Sequence, residues 1–276
     1  MIPQRDLSRI GNDLAKEGKR RIQEQVIERD YVLAWFLTGL AGHGLREKLA
    51  FKGGTALRRC WFDDYRFSED LDFSLIEPMS FEDILAGLNE IFAAVKTQSG
   101  VDMAFDREDR DSHQNTHTFY LSYKAQLPAR GSVKVDITIK ETFCFPFADR
   151  PILRTYEAFS DLPQGPTIKV YSLEEILIEK LSALSDKART EPRDLYDLWN
   201  LLEEKAFRIG EFKSELAAKL AIRGRVVEGI GDAIDAKESR LKQFWEKRLQ
   251  YQMSDLPEFE GVFRRVMRAL RDADLS

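Results

Sequence analysis

Two aspartates, Asp70 and Asp72, sit one residue apart in Arg66-Phe67-Ser68-Glu69-Asp70-Leu71-Asp72-Phe73, and Phe51-Lys52-Gly53-Gly54-Thr55-Ala56-Leu57 lies upstream. If Leu71 to Leu75 is a strand, Asp70 and Asp72 share one face while Leu71 and Phe73 take the other. Carboxylates roughly 6–7 Å apart on one strand face can converge on a divalent cation. The glycine pair permits close approach of backbone to phosphate, and the start of the following helix adds N–H donors and a favourable dipole. Together these point to phosphoryl or nucleotidyl transfer, in which two metals roughly 3.5–4 Å apart clamp the attacking and leaving oxygens.

The elements that must hold these residues are legible as periodicities. Leu49 to Lys52 reads as a short strand, Gly53-Gly54 as a turn, and Thr55 as the N-cap of a helix running toward Trp61. Thr118 to Gln126 alternates with Phe119, Leu121 and Tyr123 on one side, and Val133, Val135, Ile137 and Ile139 form the apolar face of a second run. Pro128-Ala129-Arg130-Gly131 supplies turn chemistry between them, which predicts an antiparallel hairpin. Its outer face carries Lys134, Asp136, Thr138 and Lys140, so Asp136 is placed where a third metal-site carboxylate belongs. Helical spacing is expected from Asp6 to Leu40, with Gly39 and Gly42 as the first breakers, and again from Ser80 through Val95.

Prolines 146, 151, 163 and 166 mark a link, and we place the boundary near Thr155 to Thr167, with an α/β domain over residues 1–160 and a helical domain over 161–276. Ser172-Leu173-Glu174-Glu175 reads as a capping box, and the helix behind it carries Leu173, Ile176, Leu177, Leu181 and Leu184 on one stripe. Lys180 falls in the middle of that stripe. It either snorkels past a core edge or reaches phosphate as a compact positive charge. The next helix opens near Pro192, with Asp194 at the margin of its apolar face and Asp197 turned further out.

The chain has 276 residues, 42 Lys and Arg against 47 Asp and Glu, and a net charge of −5, which argues against non-specific coating of nucleic acid. Basic clusters remain at Arg223/Arg225, Lys247/Arg248 and Arg264/Arg265/Arg268, although helix-surface arginines are usually a solvated face. No apolar run is long enough to span a bilayer and no secretory pattern opens the chain, so a cytoplasmic protein without membrane contact is expected. Cys60 and Cys144 are read as buried structural thiols. His113 and His117 are four apart in a polar stretch and make a weak case for metal ligation.

The motif Lys52-Gly53-Gly54-Thr55-Ala56-Leu57 followed by Arg66-Phe67-Ser68-Glu69-Asp70-Leu71-Asp72-Phe73 resembles the signature of the AbiEii/MenT-type nucleotidyltransferases, a branch of the DNA polymerase β-like superfamily. Val135-Asp136-Ile137, Glu179-Lys180-Leu181 and Arg193-Asp194-Leu195-Tyr196-Asp197-Leu198 look like the family's later motifs, so the resemblance spans Phe51 to Leu198. It implies an α+β fold: a polymerase β-like core, with a mixed sheet and flanking helices, followed by a mainly helical C-terminal domain that contributes Lys180 and Asp194 to the cleft. It also implies that Asp70, Asp72 and Asp136 bind magnesium or manganese, with Asp136 a candidate base for the acceptor hydroxyl. Lys52, Gly53, Gly54, Thr55, Arg66 and Ser68 would bind the nucleoside triphosphate, Lys180 would neutralise phosphate charge, and Asp194 would order the site.

Relatives of this kind include toxins of toxin–antitoxin pairs, some of which add nucleotides to the tRNA 3′ end, and an AbiEi-type antitoxin is the expected partner. The spacer from Gly54 to Asp70 is longer than in many small-molecule nucleotidyltransferases and suits this branch. Two other readings stand beside it: transfer to a small molecule or protein, and a catalytically inactive partner-binding module.

Overall fold

The computed structural model describes residues 1–16, 19–109 and 115–275, so His113 lies outside the described residues. Helices α1 (Gln4–Leu14) and α2 (Glu24–Ala41) precede strand β1 (Leu49–Lys52). A helical turn, α3 (Gly53–Ala56), runs on into a wider turn at Leu57–Trp61 before β2 (Leu71–Leu75) and α4 (Phe81–Ser99). Strands β3 (Asp102–Glu108), β4 (Thr116–Lys124), β5 (Gly131–Thr138), β6 (Ala148–Pro151) and β7 (Thr167–Val170) complete one seven-stranded mixed sheet of order β3-β4-β5-β2-β1-β7-β6. Helices α5 (Leu173–Ser185), α6 (Pro192–Glu204), α7 (Lys213–Ala221), α8 (Ile230–Asp235), α9 (Glu238–Leu249) and α10 (Phe259–Asp272) follow. The fold is α+β.

The chain divides into two compact units. One comprises Met1–Glu141, Phe147–Tyr171 and Gln252–Ser254, and the other Thr142–Pro146, Ser172–Tyr251 and Asp255–Ser276. The stretch read as a proline-rich link therefore carries two strands of the sheet. Short, half-exposed edge strands such as β6 lack the buried alternation that announces a strand in sequence.

In the sheet unit the apolar face of the strands meets α2 and α4. Phe36 of α2 packs on Phe73 of β2 and Phe92 of α4, each with ring centroids 6.4 Å apart, and Phe51 of β1 lies 5.0 Å from Phe73. Ser80 caps α4 as its sequence predicts, accepting from the Asp83 N–H at 3.1 Å. The helical spacing read from Asp6 to Leu40 resolves into these two helices, and Gly39 breaks neither. It lies inside α2, where Val95 of α4 leaves no room for a β-carbon.

One element of this core is ionic. Asp30 of α2 is fully buried with Arg58 and Arg59, which follow the glycine pair. Arg58 donates to Asp30 through Nε (2.7 Å) and Nη2 (2.9 Å), and Arg59 through Nε (3.0 Å) and Nη2. Arg59 also reaches the Leu153 carbonyl at 3.1 Å, and Arg58 the Tyr156 hydroxyl at 3.0 Å. Burial pushes the Asp30 carboxyl up, but the two guanidiniums outweigh it and hold it below the ordinary value.

In the helical unit α6 packs against α5, α9 and α10. Ser172 caps α5, accepting from the Glu175 N–H at 3.2 Å, but the return half of the capping box does not form. The Glu175 carboxylate instead accepts from the Cys144 and Phe145 N–H groups at 2.8 and 2.9 Å and from Lys219 at 2.6 Å. Cys60 is buried, whereas Cys144 is only partly so, which corrects the reading of two buried thiols. Among the described residues no helix is long and apolar enough to cross a membrane.

Asp30→Asn, which leaves two buried guanidiniums without a carboxylate, is expected to cost about 3–5 kcal/mol in urea unfolding. A loss below about 1 kcal/mol would show that the arginines find other partners.

Candidate active site

Strand register assembles the site. Lys52 of β1 stands beside Asp72 of β2, Asp72 beside Asp136 of β5, and Asp136 beside Thr118 of β4. The preceding pair on β1 and β2, Phe51 and Phe73, faces the helices, so the pleat turns this polar row to the opposite side. Asp70 immediately precedes β2.

The glycine pair is shaped by these side chains. Gly53 has φ +78°, and a β-carbon there would come within 2.5 Å of Asp72 Oδ2. A β-carbon on Gly54 would run into the Arg66 guanidinium and come within 3.2 Å of Ser68 Oγ. Asp72, Arg66 and Ser68 are therefore gathered on the Gly53-Gly54 backbone, which only glycine admits. Thr55 is not a helix cap; it lies within α3, fully buried, and its hydroxyl donates to the Asp70 carbonyl at 2.5 Å. Arg66 donates to the Phe67 carbonyl at 3.2 Å and Gln252 Oε1 at 3.0 Å. Lys52 donates to Thr138 Oγ1 at 3.0 Å, lies 3.8 Å from Glu141 and hangs 5.5 Å from the Tyr171 ring centroid.

Asp136 accepts from Thr118 Oγ1 at 2.6 Å and from Lys134 Nζ at 2.7 Å. Neither partner was assigned a role from sequence. The signal for Lys134 was present, since a residue two before Asp136 on a strand shares its face. Partial burial lowers the Lys134 pKa, but the hydrogen bond and charge of Asp136, with Asp70 and Asp72 adding theirs, outweigh it and the net shift is upward.

Among the described residues no three acidic, histidine or cysteine side chains are drawn together tightly enough to enclose an ion. Magnesium needs no such cage, since one or two carboxylates plus substrate phosphates suffice. Asp72 and Asp136, side by side in register, offer oxygen donors of the right hardness, so the residues fit the ion that the motif implies.

In the helical unit Lys180 does not snorkel. Its ammonium lies 2.8 Å from Asp194 Oδ1 and 2.7 Å from Asp197 Oδ2, and Arg189 Nε is 2.7 Å from Asp194 Oδ2. Asp197, expected to turn outward, is 0% exposed, because an ion partner on α5 draws it inward where spacing alone counted it as polar surface. Burial raises the Asp194 carboxyl, but Lys180 and Arg189 reverse the shift and hold it below the ordinary range. The arginines at 223 and 225 donate to Ser182, and Arg265 to Glu203, so these basic clusters are partly committed within the unit.

Gly53→Ala combines a positive φ with a collision against Asp72 and should cost about 1–3 kcal/mol in thermal unfolding; an unchanged midpoint would mean that Asp72 does not seat on this turn. For Asp194, a depressed folded pKa means stabilisation fully present above the unfolded value, about 3.9, and lost as pH falls through the folded value. Wild type and Asp194→Asn should therefore differ in melting temperature at neutral pH and converge below about pH 4. A constant gap across that range would refute the pairing.

The sequence profile described as nucleotidyl transferase AbiEii toxin, type IV toxin–antitoxin system, matches residues 35–272. No curated protein matches the chain. Among solved structures the chain is similar to MenT4, a nucleotidyltransferase toxin from Mycobacterium tuberculosis H37Rv, with a TM-score of 0.65 and 16% identity over 99% of this chain and 90% of that one. At that identity the likeness speaks for the fold. The profile, which reaches from α2 through the aspartate strands to α10, makes the chain a member of the AbiEii nucleotidyltransferase toxin family.

Proposed function

We propose that this protein transfers a nucleoside monophosphate from a nucleoside triphosphate to an RNA acceptor, with the tRNA 3′ end as that acceptor. The observation that carries the reading is the convergence of Asp72, Ser68 and Arg66 on the Gly53-Gly54 backbone, with Asp136 next to Asp72 in the sheet. Asp70, Asp72 and Asp136 would hold magnesium, or manganese in its place. The bound ion supplies charge neutralisation at the attacking and leaving oxygens.

The chain's own residues do the rest. The triphosphate would lie against the Gly53-Gly54 backbone, where Ser68 and the Arg66 guanidinium offer donors beside the turn. Lys52 brings positive charge to the β1 end of the polar row. Thr55 fixes the Asp70 backbone and so the entry of the carboxylate strand. Asp136 would accept the acceptor hydroxyl's proton, and its Oδ1 accepts from Thr118 at 2.6 Å. For Lys180 the reading is neutralisation of phosphate charge, with Asp194 and Asp197 holding its ammonium in one geometry. An AbiEi-type antitoxin is the proposed partner, in line with the type IV system named for the family.

RNA as acceptor rests on the family rather than on surface charge, because the net charge is negative and several C-terminal arginines have partners in their own unit. The test offers the protein magnesium and each α-labelled triphosphate in turn, with total tRNA, protein extract or small hydroxylated acceptors. Label should appear in tRNA, fall at least about a hundredfold in Asp72→Asn, and leave the variant's melting temperature near that of wild type. Label confined to protein or a small molecule would move the acceptor, and none anywhere would defeat the enzymatic reading.

A further inference from the structure

Lys134 sits on the outer face of β5 two residues before Asp136, with its ammonium 2.7 Å from Asp136 Oδ2. Leu71 stands beside Val135, so the residues before them, Asp70 and Lys134, enter the sheet at the same level, and Asp72 follows beside Asp136. Thr118 holds the other oxygen of Asp136 at 2.6 Å, which leaves Oδ2 turned to Lys134. The Lys134 ammonium thus stands at the Asp136 end of a row of three like-charged carboxylates, as Lys52 stands at the Asp72 end.

We propose that Lys134 is an internal counter-ion of this row, seated on Asp136: it supplies positive charge there while no divalent cation is bound, and cation loading requires it to withdraw from Asp136. The inference rests on the metal-site reading above and assigns to a residue outside the motifs the setting of cation affinity. Its side chain is 36% exposed, so it can leave Asp136 for water without unpacking the core. No bond is made or broken; one cation replaces another. Lys134 is a positioning residue whose effect runs through Asp136.

The experiment measures manganese binding to the nucleotide-free full chain by electron paramagnetic resonance and calorimetry, for wild type, Lys134→Met, Lys134→Arg and Asp72→Asn. Thermal unfolding is followed with chelator or with manganese. Lys134→Met should bind manganese roughly five- to tenfold more tightly than wild type, because a competing cation is gone. It should melt below wild type in chelator and regain the difference in manganese, while Lys134→Arg, which keeps the charge, should bind like wild type. Manganese binding that is lost in Asp72→Asn but unchanged or weakened in Lys134→Met overturns this inference and leaves the metal site standing. If no protein in the set binds manganese, the metal-site reading fails and this one falls with it.

Discussion

The buried carboxylate of Asp30, shared by Arg58 and Arg59, is the constraint on which the sheet unit turns. It joins α2 to the segment that leaves the glycine pair, and Arg58 extends the joint to the Tyr65 carbonyl and Tyr156, Arg59 to Leu153. Desolvating three ionised groups is costly, so such a cluster contributes little net stability against a well-packed apolar alternative. Its effect is on geometry. Any displacement of Leu57–Trp61 strips a buried charge of its partner, so the turn has one place to sit and Gly53 and Gly54 have one backbone course.

From that fixed course the site follows by short steps. Thr55 holds the Asp70 carbonyl, the Gly53 backbone receives Asp72, and the Gly54 backbone lies against Arg66 and Ser68. The sheet supplies the remaining carboxylate because β2 and β5 run parallel in the register that sets Asp72 beside Asp136. Glycine here makes room for the site's own side chains. A motif glycine is therefore informative about packing before it is informative about phosphate.

The helical unit is organised by lysines that are buried, as Lys219 and Lys237 are, or largely so, as Lys180 is. Lys180 is held by Asp194 and Asp197, Lys219 by Glu175 and the Thr142 carbonyl, and Lys237 by the carbonyls of Leu184, Asp186 and Arg189. Each ammonium has several oxygen partners, the condition under which a charge tolerates burial. This explains why a lysine sits mid-stripe in α5 without breaking the helix. Its charge is matched by two aspartates on α6 that the same low-dielectric surroundings require to be paired.

Much was determined by the sequence alone. Alternation set the faces of β2, β4 and β5, the Pro-Ala-Arg-Gly stretch set their hairpin, and the glycine pair with Asp70, Asp72 and Asp136 carried the family, because these are local patterns of period two or turn chemistry that survive in any context. The split between α1 and α2, the strands β3, β6 and β7 and the inward turn of Asp197 were decided only by tertiary structure. Each depends on a partner remote in sequence or on a neighbour across a strand. A charged residue reads as surface until the fold supplies an opposite charge, and a short strand reads as loop until a sheet edge offers it hydrogen bonds.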